Sequence, residues 1–301
     1  MMERVTFLHS MAFCGIAGCA VLASPMMSPT VYILCLVAVA TIGVSHGALD
    51  YLKGRAVLKT LTGGTVRRFY LAYISLALLT LGCWYWSPAV LLTVFLGVAA
   101  YHFGKEDAAC AVRPDQRHPW LAYVLKGSTV IMAPLYFSSD ATEAIFQALH
   151  LSVAHVVTPT MALGGLGCAA MATWVLCRRA STQARFILVG DFASIVVLNY
   201  ALPPLVAFSV YFCGLHSVRH CLELSHEMDE RMTRGLIEFM KKAWPLTVVT
   251  AVCFAVIFSV LRGQFAVDES VHKVIFLGLA SLTFPHIFLE YMFERRVLAG
   301  S

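Results

Sequence analysis

Charge is what this chain has least of. Asp, Glu, Lys and Arg make up 13% of its 301 residues, against 59% hydrophobic ones. A soluble domain carries about a quarter of its residues as charge, so an ordinary water-facing globule is excluded. No Cys-x-x-Cys pair occurs among the ten cysteines, which argues against a compact zinc or redox motif and against a disulfide framework. Cys14, Cys19, Cys35, Cys83, Cys168, Cys213 and Cys253 lie within apolar runs and are expected to be small buried hydrophobes. No basic stripe interleaved with aromatics is present, so nucleic acid is not an expected partner.

Long apolar runs are there in number. Stretches near 5–23, 30–49, 69–87, 89–104, 121–137, 160–176, 186–202, 205–222, 244–261 and 273–293 approach or reach the roughly 17–25 residues that a helix needs to cross a bilayer. The expectation is an all-α polytopic bundle of about ten spans, eight at the fewest, with residues 1–301 forming a single integral membrane domain. Met1-Met2-Glu3-Arg4 and the run behind it resemble a signal peptide, but Ala23-Ser24-Pro25 leads into another apolar segment, so an uncleaved first span is expected. The 141–157 stretch is too polar to cross and reads as an interfacial or re-entrant piece.

Basic residues alternate between connections. Lys53, Arg55, Lys59, Arg67 and Arg68 fill the second; Lys105, Arg113 and Arg117 the fourth; Arg178, Arg179 and Arg185 the sixth; Arg231, Arg234, Lys241 and Lys242 the eighth. Those between carry none, apart from Arg262 and Lys273 in the last. Lys and Arg are retained on the cytoplasmic side, so an inner-membrane protein with both termini in the cytoplasm is expected.

Threaded this way, five of the eleven histidines fall at one level. At 1.5 Å per residue, His46, His102, His216, His220 and His286 lie about 17–24 Å from the outer end of their spans. His216 and His220 share a helix face one turn apart. His9, His118, His150, His155, His226 and His272 are expected in loops or at the other end. Carboxylates follow three of the five by four residues: Asp50, Glu106 and Glu290. Each is placed to accept a hydrogen bond from the second ring nitrogen of its own histidine, orienting it toward a metal. Asp50, Glu106 and Asp107 can equally pair with loop cations, and Glu290, before Glu294-Arg295-Arg296, is expected at the surface. Glycines beside His46 and His102 mark either close packing or an open metal position. His286, after Pro285, either contacts substrate or caps a kink and is not counted as a ligand. Four neutral imidazoles without thiolate suit Fe(II).

His46-Gly-Ala-Leu-Asp50, His102-Phe-Gly-Lys-Glu106-Asp107, His216-x-x-x-His220 and Pro285-His286 occur in an order that resembles the bacterio-opsin-related (Brp/Blh) family of membrane β-carotene 15,15′-dioxygenases. The likeness covers the chain from about residue 30 onward. It implies oxidative cleavage of the central double bond of β-carotene by O₂, giving two all-trans-retinal. It also implies that His46, His102, His216 and His220 bind the iron, with no separate catalytic residue, and that a microbial rhodopsin receives the retinal.

Other readings remain at this point. A metal-dependent oxygenase or di-iron desaturase of another lipid needs more ligands than these histidines supply, and no His-x-x-His-His occurs. A metal transporter would place ionisable groups near the midplane between repeats. An opsin-assembly accessory protein would make no retinal by itself.

Overall fold

Hydrocarbon offers backbone amides no partner, so a chain this apolar satisfies them within helices. The computed structural model describes residues 2–20, 22, 27–62, 65–109, 119–151, 157–178 and 180–300. Arg113, Arg117, His118, His155, Arg179 and the Ala23-Ser24-Pro25 junction lie outside the described residues. Every described element is helical. In order they are α1 (Met2–Ala20), α2 (Pro29–Ala38), α3 (Asp50–Thr62), α4 (Val66–Trp86), α5 (Pro88–Ala108), α6 (Trp120–Gly127) and α7 (Thr129–Phe137). After them come α8 (Ser139–Ala148), α9 (Pro159–Cys177), α10 (Thr182–Ala201), α11 (Pro204–Val210), α12 (Val218–Met228), α13 (Met232–Leu261) and α14 (Val267–Gly300).

Ser-Pro and Thr-Pro steps start many of these helices. Pro29, Pro88, Pro159 and Pro204 sit in the first turn, where a missing N–H costs nothing. Ser28, Thr158 and Ser181 accept from the amides of Val31, Met161 and Ala184, capping the ends.

Nine helical stretches among the described residues are long and apolar enough to cross a membrane, from Pro29–Val57 to Val267–Arg295. The tenth expected span, α1, falls short because Glu3, Arg4, His9 and Ser10 dilute its apolar run. Its buried residues, Thr6, Ser10, Phe13 and Ala17, form one stripe along α10 and α12. The 141–157 stretch supplies the ten-residue α8, too short to cross. His9 lies within α1 and His226 in the last turn of α12, so the expected placement in loops or at the other end does not rest on loops for these two.

Tyr211, Leu198, Leu205, Leu215 and Ile275 are among the most buried members of the main core. The outer faces of α4 and α13 are apolar too: Ile74, Leu78, Val252 and Val256 are exposed, as lipid permits. The same freedom corrects the cysteine expectation. Cys35 and Cys213 are buried, but Cys19, Cys83, Cys168 and Cys253 are exposed, because a thiol facing lipid needs no burial.

One ionic cluster ties α12 to three other helices. Arg219 Nη1 is 2.7 Å from Asp191 Oδ2 of α10 and 3.8 Å from Asp107 Oδ1 of α5, and its Nη2 donates to Ser10 Oγ of α1 at 2.7 Å. The Tyr211 hydroxyl donates to Asp107 Oδ2 at 2.9 Å. Asp107 therefore pairs inside the bundle and not in a cytoplasmic loop. Arg219 sits between His216 and His220 in sequence, so the cluster fixes the segment carrying both rings.

The glycine after His102-Phe103 serves packing. A Cβ on Gly104 would stand 1.8 Å from the Tyr123 carbonyl oxygen, and one on Gly127 would stand 1.9 Å from that of Ala100, so α5 and α6 touch backbone to backbone. Gly104→Ala or Gly127→Ala should cost about 1–3 kcal/mol by overpacking and lower the melting temperature in detergent. Gly82→Ala, with nothing within 4 Å of its Cβ, should leave it unchanged or raise it.

Candidate metal centre

Two of the five histidines sit where the regular α-helix gives way. After α2 the chain widens into a π turn over Val39–Gly43 and then tightens into a 3₁₀ turn over Ser45–Leu49, which carries His46. A second π segment, Tyr211–Ser217, joins α11 to α12 and carries His216. Such local changes of winding re-aim side chains and recur at functional positions. The Ser217 hydroxyl donates to the Gly43 carbonyl at 2.6 Å, locking the two irregular turns together. His102 lies on α5, His220 on α12 and His286 on α14.

All five rings converge. Ring centroids are 5.4 Å apart for His46–His216, 5.4 Å for His46–His220, 5.1 Å for His102–His216, and 5.3 Å from His286 to both His46 and His102. His46, His102 and His216 offer ligand atoms within 4.8 Å of one another. His220 stands beside this trio by its ring, while its ligand atoms group with Glu106 and Glu223. His286 groups with His102 and Glu290. His286, expected at this level as a substrate contact or a kink cap, is a buried member of the cluster and also lines the apolar cavity beside it.

The carboxylates are distributed differently from the expected same-helix pairs. Asp50 accepts from His286 Nδ1 at 2.8 and 2.9 Å, not from His46. Glu106 Oε2 lies 3.3 Å from Nδ1 of His220, not of His102, and Glu290 Oε2 lies 3.6 Å from His102 Nδ1. Glu290 also keeps its own histidine within 3.7 Å. Far from being a surface group, it is buried at 6% exposure, because it shares a helix face with His286 one turn earlier. Lys53 pairs with it at 3.2 Å. Asp50 is held on its other side by the Tyr73 hydroxyl at 3.0 Å. Pro285 removes one rung of the α14 ladder, and Tyr73 also lies 3.2 Å from the Leu282 carbonyl in that turn.

Buried polar atoms without partners are rare in folded proteins and call for a reason. Here they concentrate on imidazole: His46 Nδ1, both nitrogens of His216, both of His220 and Nε2 of His286 have no hydrogen-bond partner. Nitrogen lone pairs gathered this closely, several backed by carboxylates, suit a transition-metal ion. The set fits Fe(II), which accepts imidazole donors and tolerates mixed nitrogen and oxygen ligation.

An apolar cavity of about 230 Å³ opens onto His46, His102, His216 and His286, walled by Val44, Phe103, Phe212, Leu279 and Leu282. Phe103 packs edge-on to His216 at 4.8 Å, and Phe212 stacks on it at 5.7 Å. A second chamber of about 90 Å³, lined by Phe95, Ala99, Phe146, Phe208 and Phe276, shares Phe103, Phe212, Leu279 and Thr283 with the first.

A family model described as beta-carotene 15,15′-dioxygenase matches residues 37–294. Among curated proteins, the beta-carotene 15,15′-dioxygenase of uncultured marine bacterium 66A03 is 25% identical over 266 residues, covering 86% of this chain and 93% of that one. The probable beta-carotene 15,15′-dioxygenase Blh of Halobacterium salinarum is 26% identical over 313 residues, covering 93% and 90%. No solved structure gives a significant match. The matched stretch holds all five clustered histidines, and the chain belongs to the beta-carotene 15,15′-dioxygenase family.

Proposed function

We propose that this protein, acting as one integral membrane unit, cleaves β-carotene at its central 15,15′ double bond with O₂ to give two all-trans-retinal, at an Fe(II) centre held by His46, His102, His216 and His220. One carbon–carbon double bond is broken and two carbonyls form, so both atoms of O₂ are accounted for by the two products. The observation that carries the reading is the cluster of unpartnered buried imidazoles facing an apolar cavity. Iron bound there supplies the dioxygen chemistry.

The chain's own residues do the rest. Phe103, Phe212 and Leu279 bind a hydrocarbon without asking it for hydrogen bonds. They also keep water from the reacting carbons. The two chambers share these residues and Thr283 as lining; a polyene occupying both, with those side chains turned aside, would pass beside the imidazoles with its length divided between them. The depth of the second chamber then sets which double bond is presented. Asp50 orients His286 through its Nδ1 atom, and Glu106 stands 3.3 Å from Nδ1 of His220.

We place the protein in the inner membrane with both termini cytoplasmic. The basic residues Lys53, Arg55, Lys105, Arg231 and Arg234 follow the histidine-bearing segments in sequence, which supports a centre near the cytoplasmic face. Retinal released into lipid there is available to a microbial rhodopsin in the same bilayer.

Replacing His46, His102, His216 or His220 singly by Ala should abolish retinal formation in β-carotene-accumulating cells and lower the bound iron; activity surviving in two of these variants would overturn the ligand set. Purified chain with Fe(II), β-carotene and O₂ should yield retinal, which an accessory protein would not. Ala99→Phe narrows the second chamber, and should cut central cleavage at least about tenfold (about 1.4 kcal/mol) while iron content is kept. Chromatography of the products reads both the loss and any shift to an off-centre bond.

A further inference from the structure

We infer that Glu290 and His286, with His102, form a second divalent-metal position that the four-histidine set does not include. It rests on the proposed function only for the first ion.

Glu290 is approached by three imidazoles at nearly equal distances. Its carboxylate oxygens lie 3.6 Å from His102 Nδ1, 3.7 Å from His286 Nε2 and 3.8 Å from His220 Nε2. All three separations are too long for hydrogen bonds. Two donors each about 2.1 Å from a tetrahedral ion stand about 3.4 Å apart, so the observed spacings are close to those of ligands round a shared cation. His102, His286 and Glu290 are all buried and offer ligand atoms within 4.8 Å of one another.

His286 is prepared for the role. Its Nδ1–H is given to Asp50, which leaves the Nε2 lone pair pointing inward with no partner. A carboxylate behind a histidine in this way fixes the tautomer that a metal needs. Lys53 engages Oε1, the oxygen that also faces His286 and His220, and leaves Oε2, which faces His102, to a cation, a carboxylate having about four acceptor positions. Two imidazoles and one carboxylate form the donor set that non-haem Fe(II) sites use, with open positions left over. His102 stands between this position and the trio it forms with His46 and His216; a neutral imidazole has one lone pair, so with both positions filled it would bridge them as an imidazolate, its ring proton released on metal binding.

The test is an anaerobic Fe(II) titration of the full chain in detergent, with iron per chain counted by mass spectrometry. Two equivalents are expected for the unmodified protein. One is expected for Glu290→Gln and for His286→Ala, and one for His216→Ala, whose second position remains. The near-isosteric Glu290→Gln decides the matter should His286→Ala not fold, as judged by circular dichroism. A single equivalent in the unmodified chain, or two retained in Glu290→Gln, overturns the second position. Retinal made by a chain holding one iron sinks this inference and leaves the proposed function standing; two irons with no retinal does the reverse.

Discussion

The structure depends on one constraint: ionisable groups lowered into hydrocarbon must find partners there, because water cannot supply them. Three of the five imidazoles meet that constraint by facing carboxylates of other helices. Asp50 serves His286 of α14, Glu290 of α14 faces His102 of α5, and Glu106 of α5 faces His220 of α12. Each pair bridges two spans, so the cluster holds the bundle together in the region where it would otherwise be most costly. Breaking one pair leaves a buried charge on one helix and an undirected ring on another, which is why such networks are worth more than a sum of pairs.

The irregular turns follow from the same demand. A regular α-helix repeats its faces every 3.6 residues, so His216 and His220 would point in nearly one direction. The π segment over Tyr211–Ser217 ends between them and both rings stand 5.4 Å from His46, while the hydroxyl of Ser217 holds the turn before His46 through Gly43. Arg219, between the two histidines, turns toward Asp191 and Ser10. The charged pairs on that side act as a counterweight that fixes the rotation of α12 while its histidines face inward.

Much of the fold was legible in sequence. Apolar runs and Ser-Pro steps mark the helices, and alternating basic connections bring five histidines to one level. The convergence of His46, His102, His216, His220 and His286 agrees with that counting. What sequence could not give was partnership between helices. Spacing of four residues makes Asp50 look like the partner of His46, since only same-helix neighbours are visible in a string. Glu290 looked superficial because Glu294-Arg295-Arg296 follow it, yet its distance from His286 was the better guide to its face. The π turns leave no pattern in residue types, because a one-residue change of winding alters geometry and not composition. The apolar character of α1 was overestimated by length alone; its polar stripe, once seen, explains why it lies against Arg219.

The cluster is lopsided, and that bears on how a hydrocarbon and a metal can share it. His102, His220 and His286 each face a carboxylate, whereas His216 lies between Phe103 and Phe212 and His46 packs edge-on to Phe212. One side of the imidazole layer is therefore acidic and the other aromatic. A neutral polyene approaching from the carboxylate side would strip partners from charged groups, at a cost of several kcal/mol; from the aromatic side it displaces nothing polar. In the proposed reading the polyene lies against the aromatic side beside His46 and His216, while Asp50 and His286, which also border the cavity, stay paired with each other. The carboxylates can then compensate metal charge without narrowing the hydrocarbon path.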